Sequence, residues 1–355
     1  MSAAVKTLKI RVKDKHAPLL LQMARQVNFV WNFINALSSR SIRERGKWLS
    51  AYDIHPYTVG AHKELGLHSH TLQCVAQEYV TRRRQYKRTR LNWRKSSGSQ
   101  RSLGWIPINT GAASWKSGQV YHNGHYFGVW DSYGLSQYQF KTASFNEDAR
   151  GRWYFNVAVE VEVEAQAGEG TASLGIDLGL KDCATTSTGQ KLHGRWYREL
   201  EPQLAVAQRA RKKKRVKAIH AKIANRRKDE IHKFTTNLVK NNAAIFVGDV
   251  ASAKLVKTGM AKSTLDAGWS SLKTALEYKC HQAGVVFEEV SEAYSTQTCS
   301  ACGALPQSRP KGIAGLGIRE WTCSDCGAVH ERDVNAARNI LAAGHCRLAG
   351  GIPAL

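Results

Sequence analysis

Residues 4 to 13, AVKTLKIRVK, alternate apolar and basic side chains, the two-residue period of a strand with one wet face. From Ala17 the period lengthens to that of a helix, with Leu20, Met23, Val27, Val30, Trp31, Ile34 and Leu37 along one side and Arg40, Arg43 and Arg45 after them. A second helical stretch over about 71 to 92 carries Leu72, Val75 and Val80 and then a basic tail. Residues 98 to 135 are rich in glycine, serine and aromatic residues, which predicts short strands between turns. GRWYFNVAVEVEVEA, 151 to 165, alternates cleanly and predicts a half-buried strand. With the first strand these pieces predict a small β-barrel into which the helices are inserted. QAGEG, Gln166 to Gly170, reads as a linker and puts a domain boundary near 168.

Beyond it the pattern predicts α/β structure. SLGIDLGLKDCATTSTG gives a strand carrying Asp177 between Gly175 and Gly179, a turn and a second strand. A long helix is predicted from about 200 to 240, with Ile219, Ile223, Ile231, Phe234 and Leu238 on one side. A continuous apolar strand (243 to 250), a helix (about 264 to 283), another strand (284 to 290) and a closing helix from Asp333 complete the chain. A hairpin followed by alternating strand and helix fits an RNase H-like core. The expected fold class is therefore α+β multidomain, an N-terminal β-barrel with a helical insert followed by an α/β domain.

Charge narrows the partners. Lys+Arg number 52 against 28 Asp+Glu, and a balance of +24 argues for a polyanion, usually nucleic acid. The basic runs lack the broad apolar face of a membrane anchor, no apolar run reaches the roughly 18 residues of a span, and the N-terminus has no apolar signal core. The expectation is a cytosolic protein with no membrane partner. Cys74, Cys183, Cys280 and Cys346 show no pairing pattern, as for thiols in a reducing compartment. Between Arg82 and Arg101 stand nine Lys/Arg and no acid, interleaved with Tyr86 and Trp93, which can stack on bases. Arg209 to Lys233 holds twelve Lys/Arg against Asp229 and Glu230, a density that phosphates would relieve. The candidate nucleic-acid contacts are Arg82, Arg83, Arg84, Tyr86, Lys87, Arg88, Trp93, Lys212, Lys213, Lys214, Arg226 and Arg227, with His232 and Lys233 as phosphate-side neighbours.

Candidate chemistry concentrates near the C-terminus. Cys299, Cys302, Cys323 and Cys326 form two C-x2-C knuckles separated by 20 residues, the spacing of a tetrahedral zinc ribbon. Seven residues after the last of them, Asp333 opens a helix whose one side is small and apolar, so a metal-clamped insert delivers a carboxylate at a helix start. Cleavage of nucleic acid by two Mg²⁺ ions needs about three converging carboxylates, because hard cations take oxygen ligands. Asp177, among small neighbours, is the second candidate.

GIDLG at 175, NRRKDEIHK at 225 to 233, STQTCSACG at 295 to 303 and ERDVNAARNI at 331 to 340 resemble the TnpB proteins of bacterial insertion sequences, relatives of the type V CRISPR effectors and of the Fanzor proteins. The resemblance is close in the C-terminal half and looser over 1 to 165. It implies an RNA-guided DNA endonuclease with a split RuvC site, a guide RNA transcribed from the element's end, and double-stranded target DNA read beside a short motif. It also implies a layout: a wedge-like barrel at 1–16 and 96–167, a helical recognition insert at 17–95, a RuvC-like domain at 168–297 and 331–355, a zinc ribbon at 298–330, two Mg²⁺ and one structural Zn²⁺, and a place on the bacterial nucleoid. The family's middle motif, a strand ending in Glu-Asp, falls here on Gly248-Asp249, so the glutamate is missing. Either the chain is a nuclease-inactive, RNA-guided DNA binder, or the carboxylate has moved to Glu292, at the end of the next strand. The second option gives Asp177, Glu292 and Asp333 as catalytic ligands, Asp249 and Glu289 as reserves, and Gln297 and Arg332 beside the scissile strand. Trp269 is expected to be a packed aromatic, and Arg338 and Asn339 to position DNA or face solvent. A strand-transferring transposase is disfavoured, since no tyrosine or serine recombinase signature is evident.

Overall fold

The structure, a computed structural model, describes residues 2–163, 170–250, 255–312 and 314–349. The chain forms two compact units, residues 2–162 and residues from 163 onward. The expected linker at 166–169 lies outside the described residues.

In the N-terminal unit β1 (Ser2–Val12) buries Leu8, Ile10 and Val12 on one face, as its alternation requires. Helix α1 (Ala17–Arg45) has Pro18 in its first turn and stops at Gly46, whose φ of 64° ends it in the left-handed region. Two short helices, α2 (Ala51–Ile54) and α3 (Ala61–Leu65), lead to α4 (Ser69–Tyr86), which packs on α1. The predicted second helix therefore ends at Tyr86, not near 92. Instead, α1 side chains hold the next segment extended: Asn35 donates to Leu91 O (2.8 Å) and accepts from Leu91 N (3.1 Å), and Asn32 makes the same pair with Arg94 (2.9 Å each). Strands β2 (Trp105–Ile108), β3 (Ala113–Lys116), β4 (Gln119–His122), β5 (His125–Phe127), β6 (Val129–Trp130), β7 (Phe140–Glu147) and β8 (Trp153–Val163) follow. They make a five-stranded sheet of order β2-β7-β8-β1-β6 and a three-stranded sheet β3-β4-β5.

The second unit is built on a five-stranded sheet of order β11-β10-β9-β12-β13, from β9 (Ala172–Asp177), β10 (Asp182–Thr186), β11 (Lys191–His193), β12 (Asn242–Gly248) and β13 (Val286–Val290). β9, β10 and β11 pair antiparallel, whereas β12 runs parallel to both β9 and β13, so the ends of β9, β12 and β13 point the same way. The predicted helix at 200–240 is two helices, α5 (Trp196–Arg209) and α6 (Lys213–Asn241), with Arg211 at φ 51° in the bend. The break has a packing cause: Trp196, Leu200, Leu204 and Ala207 must fold back onto α6, and one straight helix could not bury both stripes. Gly268 (φ 67°) likewise divides the predicted helix at 264–283 into α7 (Ala261–Ala267) and α8 (Trp269–Ala283). A two-stranded ribbon, β14 (Glu320–Thr322) with β15 (Val329–Glu331), runs directly into α9 (Arg332–Ala349). No helix among the described residues is long and apolar enough to cross a membrane.

Candidate active site and metal centre

Helix α9 lies directly on β9 and β12. A Cβ on Gly175 would stand 2.0 Å from Ala337 O, and one on Gly344 2.2 Å from the Phe246 ring, so only glycine permits this approach. Asp333, one turn before Ala337, is thereby carried to the strand ends, where β9 terminates at Asp177 rather than passing through it. Asp177 is 8% exposed. Burial first, then the carboxylates of Asp333 and Glu292, push its pKa up to about 7, against the opposing pull of Arg332. Burial and the neighbouring Asp249 raise Glu292 as well, with Lys273 opposing.

Glu292 follows the end of β13, whose Val290 pairs with Gly248. A Cβ on Gly248 would meet Glu292 Oε2 at 3.1 Å and Glu292 Cβ at 3.3 Å, so the Glu292 side chain fills the space a residue at 248 would use. Asp249 Oδ1 accepts from the Glu292 amide at 3.2 Å and fixes the start of this loop. Glu289 points elsewhere, to Lys273 Nζ at 2.5 Å. Asp333 is held by Arg319 Nη1 (3.0 Å) and by Arg332 (2.9 Å to Nη2). Asp177 thus feels the carboxylates of both Asp333 and Glu292, oxygen donors of the kind a hard divalent cation takes, while the three do not bring their oxygens within 4.8 Å of one another. Asp333 would have to exchange its arginines for the ion.

Among the described residues, the four cysteines form the group whose ligand atoms lie within 4.8 Å of one another. The two knuckles are built alike: Gly303 N donates to Cys299 O at 2.8 Å and Gly327 N to Cys323 O at 2.9 Å, with both glycines at positive φ. The Cys299–Cys326 and Cys302–Cys323 Sγ separations, 3.6 and 3.9 Å, match the edge of about 3.8 Å that Zn–S bonds of about 2.3 Å set in a tetrahedron. Burial opposes ionisation of Cys299, yet the amides of Cys302 and Ala301 and the His330 ring bring its pKa down to about 6, ready to ligate. His330 Nε2 lies 3.0 Å from that sulfur.

The basic candidates divide. Arg84, Lys87, Arg88, Lys212, Lys213 and Lys214 are exposed, as are Tyr86 (58%) and Trp93 (46%). Arg82 faces water but is paired with Glu78, and Arg226 bridges Glu199 and Glu230. Arg83 is a correction: it is 1% exposed, donating to Leu49 O at 2.6 Å and to Ser38 Oγ, because it continues the buried stripe of Leu72, Val75, Ala76, Tyr79 and Val80. Arg227 is drawn inward to Leu265 O (3.2 Å), Asp266 O (3.4 Å) and the Asp266 carboxylate. His232 Nδ1 lies 3.4 Å from Tyr278 Oη, and Lys233 pairs with Asp229. Trp269 is buried as expected and donates to Gly179 O at 3.1 Å, latching the turn after Asp177. Gln297 Oε1 accepts from Arg309 (3.3 Å), and Arg338 is exposed. Asn339 is half-buried and does not simply face solvent. Its amide binds the loop that carries Glu292, as does that of Asn335, and the four-residue spacing of the two was the available signal. Arg319 and His330 carried no sequence signal.

A family model described as a probable transposase matches residues 156–259, and one described as the Cas12f1-like TNB domain matches residues 269–340. A putative RNA-guided DNA endonuclease of Streptomyces pristinaespiralis is 39% identical over 218 residues, 57% of this chain and 52% of that protein. The putative RNA-guided DNA endonuclease InsQ of Escherichia coli (strain K12) is 32% identical over 230 residues, 57% of this chain and 56% of that one. The chain thus spans about half the length of these curated relatives. The solved Cas12f1-sgRNA-target DNA complex contains a chain with the same fold, at a TM-score of 0.58 and 12% identity, over 95% of this chain and 98% of that one. TnpB-like proteins of Acanthamoeba polyphaga mimivirus match at 22% identity over 58% of this chain. Over residues 156–340 the chain is thus similar to insertion-sequence transposase-type and TnpB-like proteins and to their Cas12f1-like relatives.

Proposed function

We propose that the chain is a transposon-associated, RNA-guided DNA endonuclease of RuvC type, which binds a guide RNA and cuts double-stranded DNA beside a short motif by Mg²⁺-dependent phosphodiester hydrolysis. Its similarity to putative RNA-guided DNA endonucleases supports this reading, and so does the net charge of +24. The sheet order of the second unit, with carboxylates at neighbouring strand ends, supports an RNase H-like nuclease core. We assign residues 1–16 and 96–167 to a wedge-like barrel, 17–95 to a recognition insert and 298–330 to a zinc ribbon whose structural Zn²⁺ is held by Cys299, Cys302, Cys323 and Cys326. Such a protein would work on the bacterial nucleoid.

The observation that carries the catalytic assignment is the Glu292 side chain in the space beside Gly248. Two Mg²⁺ held by Asp177, Glu292 and Asp333 would supply the Lewis acidity that stabilises the attacking and leaving oxygens. Asp177, the most buried of the three, would hold the cations together with Glu292 and Asp333. Arg319 and Arg332 neutralise Asp333, and a cation held there would take their place.

The test is plasmid cleavage by the protein with its guide RNA and Mg²⁺. Asp177→Ala and Glu292→Ala should each abolish cutting, and Gly248→Glu added to Glu292→Ala should restore part of it, because the two side chains compete for one space. Wild-type cutting by Glu292→Ala would overturn the assignment. A second reading, an RNA-guided DNA-binding repressor without cleavage, draws on the closed pairing of Asp333 with two arginines. It predicts guide-dependent DNA binding and intact plasmid at every Mg²⁺ concentration.

A further inference from the structure

The segment after β13 carries Glu292 but pairs with no strand, so something else must hold it. Within it Ser295 N donates to Glu292 O at 3.0 Å, and Gln297 N and Thr298 N both donate to Tyr294 O, at 2.8 and 2.9 Å. Tyr294 adopts φ 60°, a left-handed backbone that a non-glycine residue keeps only where its surroundings impose it. Those surroundings are supplied by α9. Asn335 Nδ2 donates to Ser295 O (3.2 Å) and Thr298 O (2.7 Å), and Asn339 Nδ2 donates to the same two carbonyls at 2.8 and 2.7 Å. Asn335 Oδ1 in turn accepts from Ser300 N at 2.9 Å. Four donated bonds thus converge on two loop carbonyls, from a helix whose first turn carries Asp333.

We infer that Asn335 and Asn339 are positioning residues that tie the Glu292 loop to the Asp333 helix and so set the distance between the two carboxylates. The inference rests on the metal-dependent nuclease reading. Asn335 is 1% exposed and helps form the core, whereas Asn339 is only half-buried and reaches the loop with its amide alone, so Asn339 is the better site for a test. The role requires N–H donation and not merely shape. Asn339→Asp keeps the shape, loses both donors and sets a carboxylate against two carbonyls, and Asn339→Gln keeps the donors on a longer arm.

The experiment measures Mn²⁺ binding to the full-length, zinc-loaded protein by titration without nucleic acid, and then single-turnover cleavage of guided DNA. Asn339→Ala and Asn339→Asp should each weaken Mn²⁺ binding and slow cleavage by about 10- to 100-fold, the usual effect of removing a partner that orients a metal ligand. DNA affinity should stay at the wild-type value, and Asn339→Gln should recover part of both losses. Retained zinc and an unchanged melting temperature certify that a variant is folded; if Asn339→Ala loses either, Asn339→Asp carries the test. Wild-type Mn²⁺ affinity and cleavage in a folded Asn339→Asp would overturn the inference. Asp177→Ala is the control that separates the two failures. If it binds Mn²⁺ and cuts normally, the reading of the site is wrong; if it is dead while Asn339→Asp is normal, only the positioning role is wrong.

Discussion

A carboxyl group enclosed at a strand end beside two others prefers to keep its proton, and Asp177 is in that position. Its folded pKa of about 7 stands above the ordinary 3.8, so folding takes up a proton between those values. Stability present below the ordinary carboxylate range is therefore lost as pH rises through about 7. A shift of this size corresponds to a ceiling of about 4 kcal/mol. Asp177→Asn should accordingly raise the melting temperature of the Mg²⁺-free protein at pH 8 and change it much less at pH 5.5. Added Mg²⁺ should stabilise the wild type and not the variant. A fall in melting temperature at pH 8 would count against repulsion as the dominant effect. The same residue was visible in the sequence as GIDLG, but its burial, the largest cause of the shift, was not.

At the scale of elements, the site depends on how closely α9 approaches the sheet. Glycine sits on the strand at 175 and on the helix at 344, each where a methyl group would collide with the facing element. Gly344→Ala poses two opposed effects: alanine favours a helix interior by about 1 kcal/mol, while overpacking a fitted contact costs about 1–3 kcal/mol. The collision is with the ring of Phe246, which is fully buried and cannot swing aside, so the cost should win. Denaturant unfolding should show Gly344→Ala destabilised by up to about 2 kcal/mol, the difference of those two estimates. The small apolar face of α9 could be read from the sequence, since Ala336, Ala337 and Ile340 recur at helical spacing. The breaks at Arg211 and Gly268 could not, because periodicity continues across both and only the demand to cover the sheet bends the chain there.

At the scale of the whole molecule, the excess of positive charge would bind a polyanion through counterion release, and the salt dependence of that binding would count the phosphates engaged. Replacing Lys212, Lys213 and Lys214 together by alanine should lower the slope of log affinity against log salt by about 2–3, each phosphate contact contributing about 0.7–0.9. Arg83→Ala should leave that slope unchanged and lower the melting temperature instead, since its guanidinium binds Ser38 and Leu49 in the interior. An altered slope for Arg83→Ala would contradict its burial. A run of basic residues in a sequence states how much charge there is, but helical phase decides which members of the run reach water.

The sequence alone determined what depends on local order: the cysteine spacing, the alternation of β1 and β8, the hairpin around Asp177, the charge, and the motifs that make residues 156–340 similar to their relatives. These are set by neighbours a few positions apart. Only the tertiary structure decided what depends on groups far apart in the chain. It brought Glu292 into the space beside Gly248, 44 positions earlier (292 − 248), turned Arg83 and Arg227 inward, and set Asn335 and Asn339 onto the 295–298 loop. The physical reason is that a buried carboxylate, guanidinium or amide is stable only with particular partners at particular distances, and which partners arrive is fixed by the packing of one element on another.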